Sequence, residues 1–236
     1  MRPIPKPFRP MEALLVDEIP EGGGWQYEPK WDGFRCLVFR EEDRIELQSK
    51  SGQRLTRYFP ELVELFLSFK AQKFVLDGEI AIPIGGRFSF DDLLQRIHPA
   101  ESRVRKLSKE TPATFVAFDL LAGPEGASLA SKPLQERRKL LETFAASCFP
   151  RVDRLRLSPA TTNVKVARQW FKTVGADLDG IIAKRLDCEY KSGERTGMQK
   201  SNFCAQRIAS WAGSVMPQTR KWWARCCLAF MTTPGC

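Results

Sequence analysis

Two short segments separated by only three residues constrain this chain more than anything else in it. Residues 33–40 (GFRCLVFR) and 44–49 (RIELQS) mix β-branched, aromatic and alternating apolar positions, with the charged Glu41, Glu42 and Asp43 between them. That pattern reads as two strands of a hairpin, and strands joined so closely pair antiparallel, because a parallel pair needs a crossover of a dozen or more residues. Residues 60–70 (PELVELFLSFK) follow, with Leu62, Leu65, Phe66 and Phe69 at helical spacing behind Pro60, and residues 74–83 (FVLDGEIAIP) return to strand chemistry. The order so far is β-β-α-β. Beyond it we expect a short helix over 90–97, a strand over 114–121 (TFVAFDLL), an Arg- and Leu-rich amphipathic helix over 133–144 and a helix over 163–174. A buried strand over 178–184 (LDGIIAK) and a polar, Gly-containing loop over 191–197 come next, and the Pro- and Gly-rich opening through Gly24 reads as an extended arm. Without strict βαβ alternation, this argues for an α+β fold of antiparallel sheets with flanking helices rather than a doubly wound parallel sheet.

Composition narrows the partners. The 236 residues, 43% of them hydrophobic, can fill a soluble core, and no apolar run approaches the roughly 20 residues that cross a bilayer. The basic, Pro-rich start lacks the apolar stretch of a signal peptide, so the expectation is a cytoplasmic protein with no membrane association. Seven cysteines without a C-x-x-C pair argue against both a disulfide scaffold and zinc. A net charge of +9 favours a polyanionic partner. From Ser201 onward the character changes: 36 residues carry four basic groups and no acid, with four of the seven cysteines and three of the six tryptophans.

The chemistry concentrates around Glu28-Pro29-Lys30-Trp31-Asp32-Gly33-Phe34-Arg35. A free lysine, with a pKa near 10.4, is neutral about one time in a thousand at neutral pH, so a nucleophilic lysine needs cationic neighbours or desolvation. Arg35, Lys184 and a bound metal could supply them. Taken alone, K-x-D-G is equally a surface lysine in a salt-bridged turn. His98, the only histidine, reads as a loop residue. The basic residues at 133–139 read as a solvated helix face, with contact to DNA phosphates as the alternative.

Lys30 to Arg35 resembles the K-x-D-G-x-R signature of the covalent nucleotidyltransferases, the superfamily of ATP-dependent ligases and capping enzymes. Further blocks resemble that family in order: Ser49-Lys50-Ser51-Gly52 with Leu55-Thr56 and Phe59-Pro60-Glu61-Leu62, then Leu76-Asp77-Gly78-Glu79, the aromatic-bearing strand from Phe115 to Leu121, Asp179-Gly180-Ile181-Ile182-Ala183-Lys184, and Lys200. The resemblance is to the adenylation domain of bacterial ATP-dependent DNA ligases and implies an ATP-grasp-like nucleotidyltransferase fold. It implies that Lys30 attacks the α-phosphate of ATP to form lysyl-AMP, and that Arg35, Lys184 and Lys200 neutralise phosphate oxygens. It further implies Glu28 near the nucleotide, Phe118 stacked on adenine, and Glu79 and Asp179 as ligands of Mg²⁺; without the family, Phe118 reads as a core aromatic. Lys30, Glu79, Phe118, Asp179 and Lys184 should then line one cleft. The implied partner is nicked double-stranded DNA, sealed by a monomer in repair, replication or recombination. Two departures stand out: Lys50 replaces a customary arginine and loses its planar fork, and Asp179 replaces a customary glutamate.

The family's second lysine of the last block is absent, because Lys200 is followed by Ser201-Asn202. We therefore expect residues 1–200 to be the adenylation domain and 201–236 an aberrant tail in place of an OB domain. An alternative codon frame permits OB-like strings at 206–216 and beyond 221, as if the tail were translated out of frame; a divergent apolar tail is the plainer alternative. Loss of the OB domain implies slight self-adenylation. Two other functions remain open at this point: an RNA ligase or capping-type enzyme, and a non-catalytic nucleic-acid-binding remnant.

Overall fold

A computed structural model describes residues 4–150, 152–173 and 178–202. The tail beyond Asn202, with the out-of-frame origin expected for it, lies outside the described residues.

One sheet is built largely from the segments whose periodicity is plainest. Strands β1 (Leu14–Leu15), β2 (Trp25–Trp31), β3 (Phe34–Glu41), β4 (Arg44–Ser49) and β5 (Lys73–Ala81) open the chain. A small hairpin, β6 (Pro83–Ile84) and β7 (Arg87–Phe88), and then β8 (Thr114–Ala122), β9 (Leu155–Leu157), β10 (Leu178–Arg185) and β11 (Met198–Asn202) complete the strands. The five-stranded sheet runs β4-β3-β5-β8-β9, and β3 pairs antiparallel with β4 from Cys36↔Ser49 to Glu41↔Arg44, as the hairpin reading expects. All nine residues of β8 are buried, because helices cover one face of the sheet while the arm and residues such as Tyr190 and Met198 cover the other. Helix α1 (Pro60–Leu67) starts on its proline and turns Leu62, Leu65 and Phe66 inward. There Phe66 meets Phe115 edge to face at 5.2 Å, beside Phe69 and Phe74. Arg96, wholly buried, closes this region with a two-pronged pair to Glu61 at 2.7 and 2.9 Å, while the Ala113 N–H donates to the same carboxylate at 3.0 Å. The Phe59 to Leu62 block is thus structural.

The second sheet, ordered β1-β11-β10-β2, draws its strands from distant parts of the chain. Its edge strand β2 carries Pro29, which has no N–H to give and is tolerated at an edge. Helix α5 (Val164–Thr173) packs Ala167 against Tyr27 and Ile181 in a small core of its own.

Several expectations need correction. The arm before Gly24 is not merely extended. It forms β1, parallel to β11, and straps the two sheets: Phe8 and the Gln48 side chain exchange hydrogen bonds at 3.0 and 2.5 Å, and the Val16 N–H donates to the Lys200 carbonyl at 2.9 Å. The sheets are predominantly but not wholly antiparallel, since β8 and β9 also pair parallel. Strand β2 begins at Trp25, well before the expected first strand. Helix α2 (Phe90–Gln95) is shorter than expected, α3 (Glu101–Glu110) was not foreseen, and α4 runs Leu134–Cys148 with Pro133 as its N-cap. Only Val104 of α3 is buried, so no apolar stripe marks it; Glu101–Arg105 and Lys106–Glu110 pairs lace its surface instead.

Candidate active site

The site forms where β2 and β10 of one sheet face β3, β5 and β8 of the other. Within each sheet a motif glycine permits a close approach of neighbouring strands. A Cβ on Gly33 would lie 2.3 Å from the Ile80 carbonyl oxygen, and one on Gly180 would lie 2.0 Å from that of Ser201, so nothing larger fits either place. Opposite Lys30 the β2–β10 register shifts between Leu178 and Gly180, leaving Asp179 as the extra residue. A bulge of this kind re-aims its side chain. The Lys30 Nζ donates to Asp179 Oδ2 at 2.5 Å.

Farther along the same strand pair, Lys184 and Glu28 are both buried and meet at 2.9 Å from Nζ to each carboxylate oxygen, while Gln26 Nε2 donates to Glu28 at 2.7 Å. On the facing sheet, Arg35 turns its fork onto Asp77, Nε to Oδ1 and Nη2 to Oδ2, each at 2.6 Å. Burial disfavours the guanidinium, but Asp77 outweighs it and holds Arg35 charged. The Phe118 ring takes both cations, with the Arg35 guanidinium carbon 4.6 Å and the Lys184 Nζ 4.7 Å from its centre. A cavity of about 10 Å³ bounded by Arg35, Asp77, Phe118, Lys184 and Tyr190 is room for one water, so no base fits between ring and cations as they stand.

The carboxylates around Lys30 feel one another. Burial pushes the Glu79 carboxyl up to about 8, against the pull of Arg35 and Lys30, with Asp77 and Asp32 adding to the rise. Asp32 is raised by burial and by Asp179, against Lys30. Lys200, on β11 opposite Ile182, has its pKa lowered by burial and by the crowding of Lys30, Lys50 and Arg195. Glu12 relieves that crowding, reaching Lys50 at 3.2 Å and Arg195 at 3.3 Å. Among the described residues no group of three or more His, Cys, Asp or Glu converges as a metal site. Glu79 and Asp179 nonetheless offer hard oxygen donors of the kind that suit Mg²⁺ retaining most of its water.

Residues from four separate motif blocks are thus linked in two groups, Lys30 with Asp179, and Arg35 and Lys184 with Phe118; of the five expected cleft residues only Phe118 and Lys184 line the small cavity, and Arg35 and Lys184 are engaged with carboxylates rather than free for phosphate. Phe118, 9% exposed, is both core aromatic and site wall. His98 lies in a loop, where its Nδ1 accepts from the Ala100 N–H at 3.0 Å. The solvated-face reading of residues 133–139 fails at Arg137, which is buried and grips Asp119 with two bonds of 2.9 Å. Sequence reasoning missed Tyr190, Glu12 and Arg195 and gave Asp77 no role; partners 113 to 183 residues apart leave no local periodicity to find.

Residues 8–201 match the family model described as "ATP dependent DNA ligase domain". Among curated proteins the chain is 44% identical over 194 residues to "DNA ligase C2" of Mycolicibacterium smegmatis, covering 82% of this chain and 53% of that one. It is 43% identical over 195 residues to "DNA ligase C" of Mycobacterium tuberculosis, covering 82% and 54%. The chain thus spans about half the length of these relatives. Among solved structures it resembles "mycobacterial DNA ligase D complexed with ATP and MES", with a TM-score of 0.59 and 27% identity over 83% of this chain and 60% of that one.

Proposed function

Because this chain belongs to the ATP-dependent DNA ligase family, we propose that it performs the adenylation step of ligation with Lys30 as the nucleophile. The observation that carries the proposal is the meeting of Lys30 Nζ with Asp179 at 2.5 Å, near enough to Glu79 for Lys30 to pull on its carboxyl. In the step, the Lys30 amine gives up a proton, for which hydrogen-bonded Asp179 is the placed acceptor, and forms a P–N bond to the α-phosphorus of ATP. The α–β bridging P–O bond breaks and pyrophosphate departs with its electron pair. Lys200, with Lys50 and Arg195 nearby, supplies positive charge for phosphate oxygens, Lys184 does so once Glu28 yields, and Arg35 contributes its charge from its place on Asp77.

Glu28 faces the nucleotide, and Phe118 stacks on its base once Lys184 leaves the ring. Glu79 and Asp179 would hold Mg²⁺, which when bound supplies further positive charge to the triphosphate. The AMP then passes to a nicked duplex, the partner that the net charge of +9 favours, and the chain works as a cytoplasmic monomer in repair, recombination or replication. Within this proposal residues 1–200 are the adenylation domain and 201–236 an aberrant tail.

Incubation with α-labelled ATP and Mg²⁺ tests it. Label that survives denaturation on the wild-type chain and is absent from Lys30→Ala supports the proposal. Equal label on Lys30→Ala, or no preference for ATP over GTP, would overturn it.

A further inference from the structure

Tyr190 takes no part in the adenylation step, yet its hydroxyl is bound on two sides. It donates to Asp77 Oδ2 at 2.5 Å and accepts from the Met11 N–H at 3.0 Å, and all three groups are buried. We propose that Tyr190 is a positioning residue of the nucleotide site: its hydroxyl fixes Asp77, Asp77 fixes Arg35, and Arg35 is thereby kept over the ring of Phe118.

Asp77 is fully buried and receives three donors, Arg35 Nε on Oδ1 and both Arg35 Nη2 and Tyr190 Oη on Oδ2. A buried carboxylate is stable only while paired and hydrogen bonded, so removing one donor lets it seek another geometry. Arg35 would follow, because its other contact, Nη2 to the Met11 carbonyl, is 3.3 Å long and weak. The tyrosine cannot compensate by moving. Its ring stacks on Phe8 at 6.0 Å, lies under the Arg137 guanidinium at 5.6 Å, and its backbone N–H is spent on the Ala130 carbonyl at 2.8 Å. Burial and the neighbouring Asp77 push the phenol well above its ordinary value, so it stays a donor throughout the working range. The network borders a cavity of about 10 Å³, room for one water, that Arg35, Asp77, Phe118, Lys184 and Tyr190 help to line, so the position of Arg35 bears on its size.

The inference rests on Phe118 and Arg35 belonging to an ATP site, so ATP binding is measured by equilibrium methods without Mg²⁺, separately from labelling. Failure of Lys30 chemistry then leaves the binding result intact. For Tyr190→Phe we expect the Kd and KM for ATP to rise about five- to tenfold, the cost of one hydrogen bond to a charged group, with the maximal labelling rate changed less than about twofold. In an Asp77→Asn background the same substitution should add less than about twofold, because the two residues act in series. Phe144→Leu, in the core behind the five-stranded sheet, lowers the melting temperature without touching the network and should leave ATP affinity unchanged. Unchanged ATP affinity in Tyr190→Phe, penalties that multiply in full with Asp77→Asn, or an equal loss of affinity in Phe144→Leu would each overturn the proposal.

Discussion

In the five-stranded sheet, most pairing strands lie within about forty residues of one another and bury an aromatic core around Phe66, Phe74 and Phe115. The four-stranded sheet collects residues 14–15, 25–31, 178–185 and 198–202, and the core beneath it is small: Ile19, Tyr27, Ala167, Ile181 and Ala183. Beside that small core it has two charge pairs, Lys184 with Glu28 and Lys30 with Asp179, whereas the Arg35–Asp77 and Arg137–Asp119 pairs of the first sheet sit beside a large aromatic core. The first sheet is held mainly by burial, which no ligand needs to disturb. The second is held in part by carboxylates facing cations, contacts that phosphate can replace at little net cost in charge. Lys30, the proposed nucleophile, lies on the sheet whose polar contacts are exchangeable, and Arg35, Glu79 and Phe118 come from the sheet whose core is not.

Substitutions on either side can break this contrast. The largest effect is expected at Lys30, where Lys30→Ala should lower labelling from ATP by about a thousandfold or more, roughly 4 kcal/mol in the barrier, while the urea midpoint stays put. A large fall in stability would place Lys30 in the framework instead. Phe66→Ala should cost about 3–5 kcal/mol in urea unfolding, with ATP affinity per folded molecule preserved. For the other sheet, Glu28→Gln strands the buried Lys184 ammonium and should cost about 3 kcal/mol, while adding Lys184→Met should recover part of the loss; strict additivity would refute a direct pair.

Glu12→Gln should have the smallest effect, under about 1 kcal/mol, because its partners Lys50 and Arg195 are more than half exposed. Burial raises the Glu12 carboxyl, but Lys50 and Arg195 outweigh it and hold it below its ordinary 4.5. A lowered folded-state value means that this contribution is present above 4.5 and fades as pH falls through the folded value, so wild type and Glu12→Gln should converge in acid. Convergence in alkali instead would show that the carboxylate is not the stabilised form.

The same contrast explains what could be read from the sequence. Strands β3, β4, β5 and β8 and helix α1 follow from alternation, helical spacing and the position of Pro60, since burial on a sheet or helix face leaves a period. Strand β2 (WQYEPKW) has Pro29 and two charges in seven residues, and β11 (MQKSN) is mostly polar, so tertiary pairing rather than pattern makes them strands. At the site, resemblance supplied Lys30, Glu79, Asp179 and Lys184. It could not supply the Tyr190–Asp77 bond or the Glu12 bridge, because these join segments more than a hundred residues apart, nor the engagement of Arg35 with Asp77, which lies across the β3–β5 pair.

Gly33 and Gly180 carry no charge, donate to no phosphate and bind no base, yet they act as the gauge blocks of the site. Each lets a neighbouring backbone oxygen stand within 2.3 Å of where a methyl would be, and ordinary contact would need more than 3 Å. Alanine at 180 would therefore push β11 away from β10 by on the order of 1 Å and carry Lys200 with it, and alanine at 33 would do the same between the Lys30 turn and Glu79. Displacements of that size can cost about a hundredfold in rate. Two residues without side chains thus set the spacing from which Lys200 and Glu79 take their working distances.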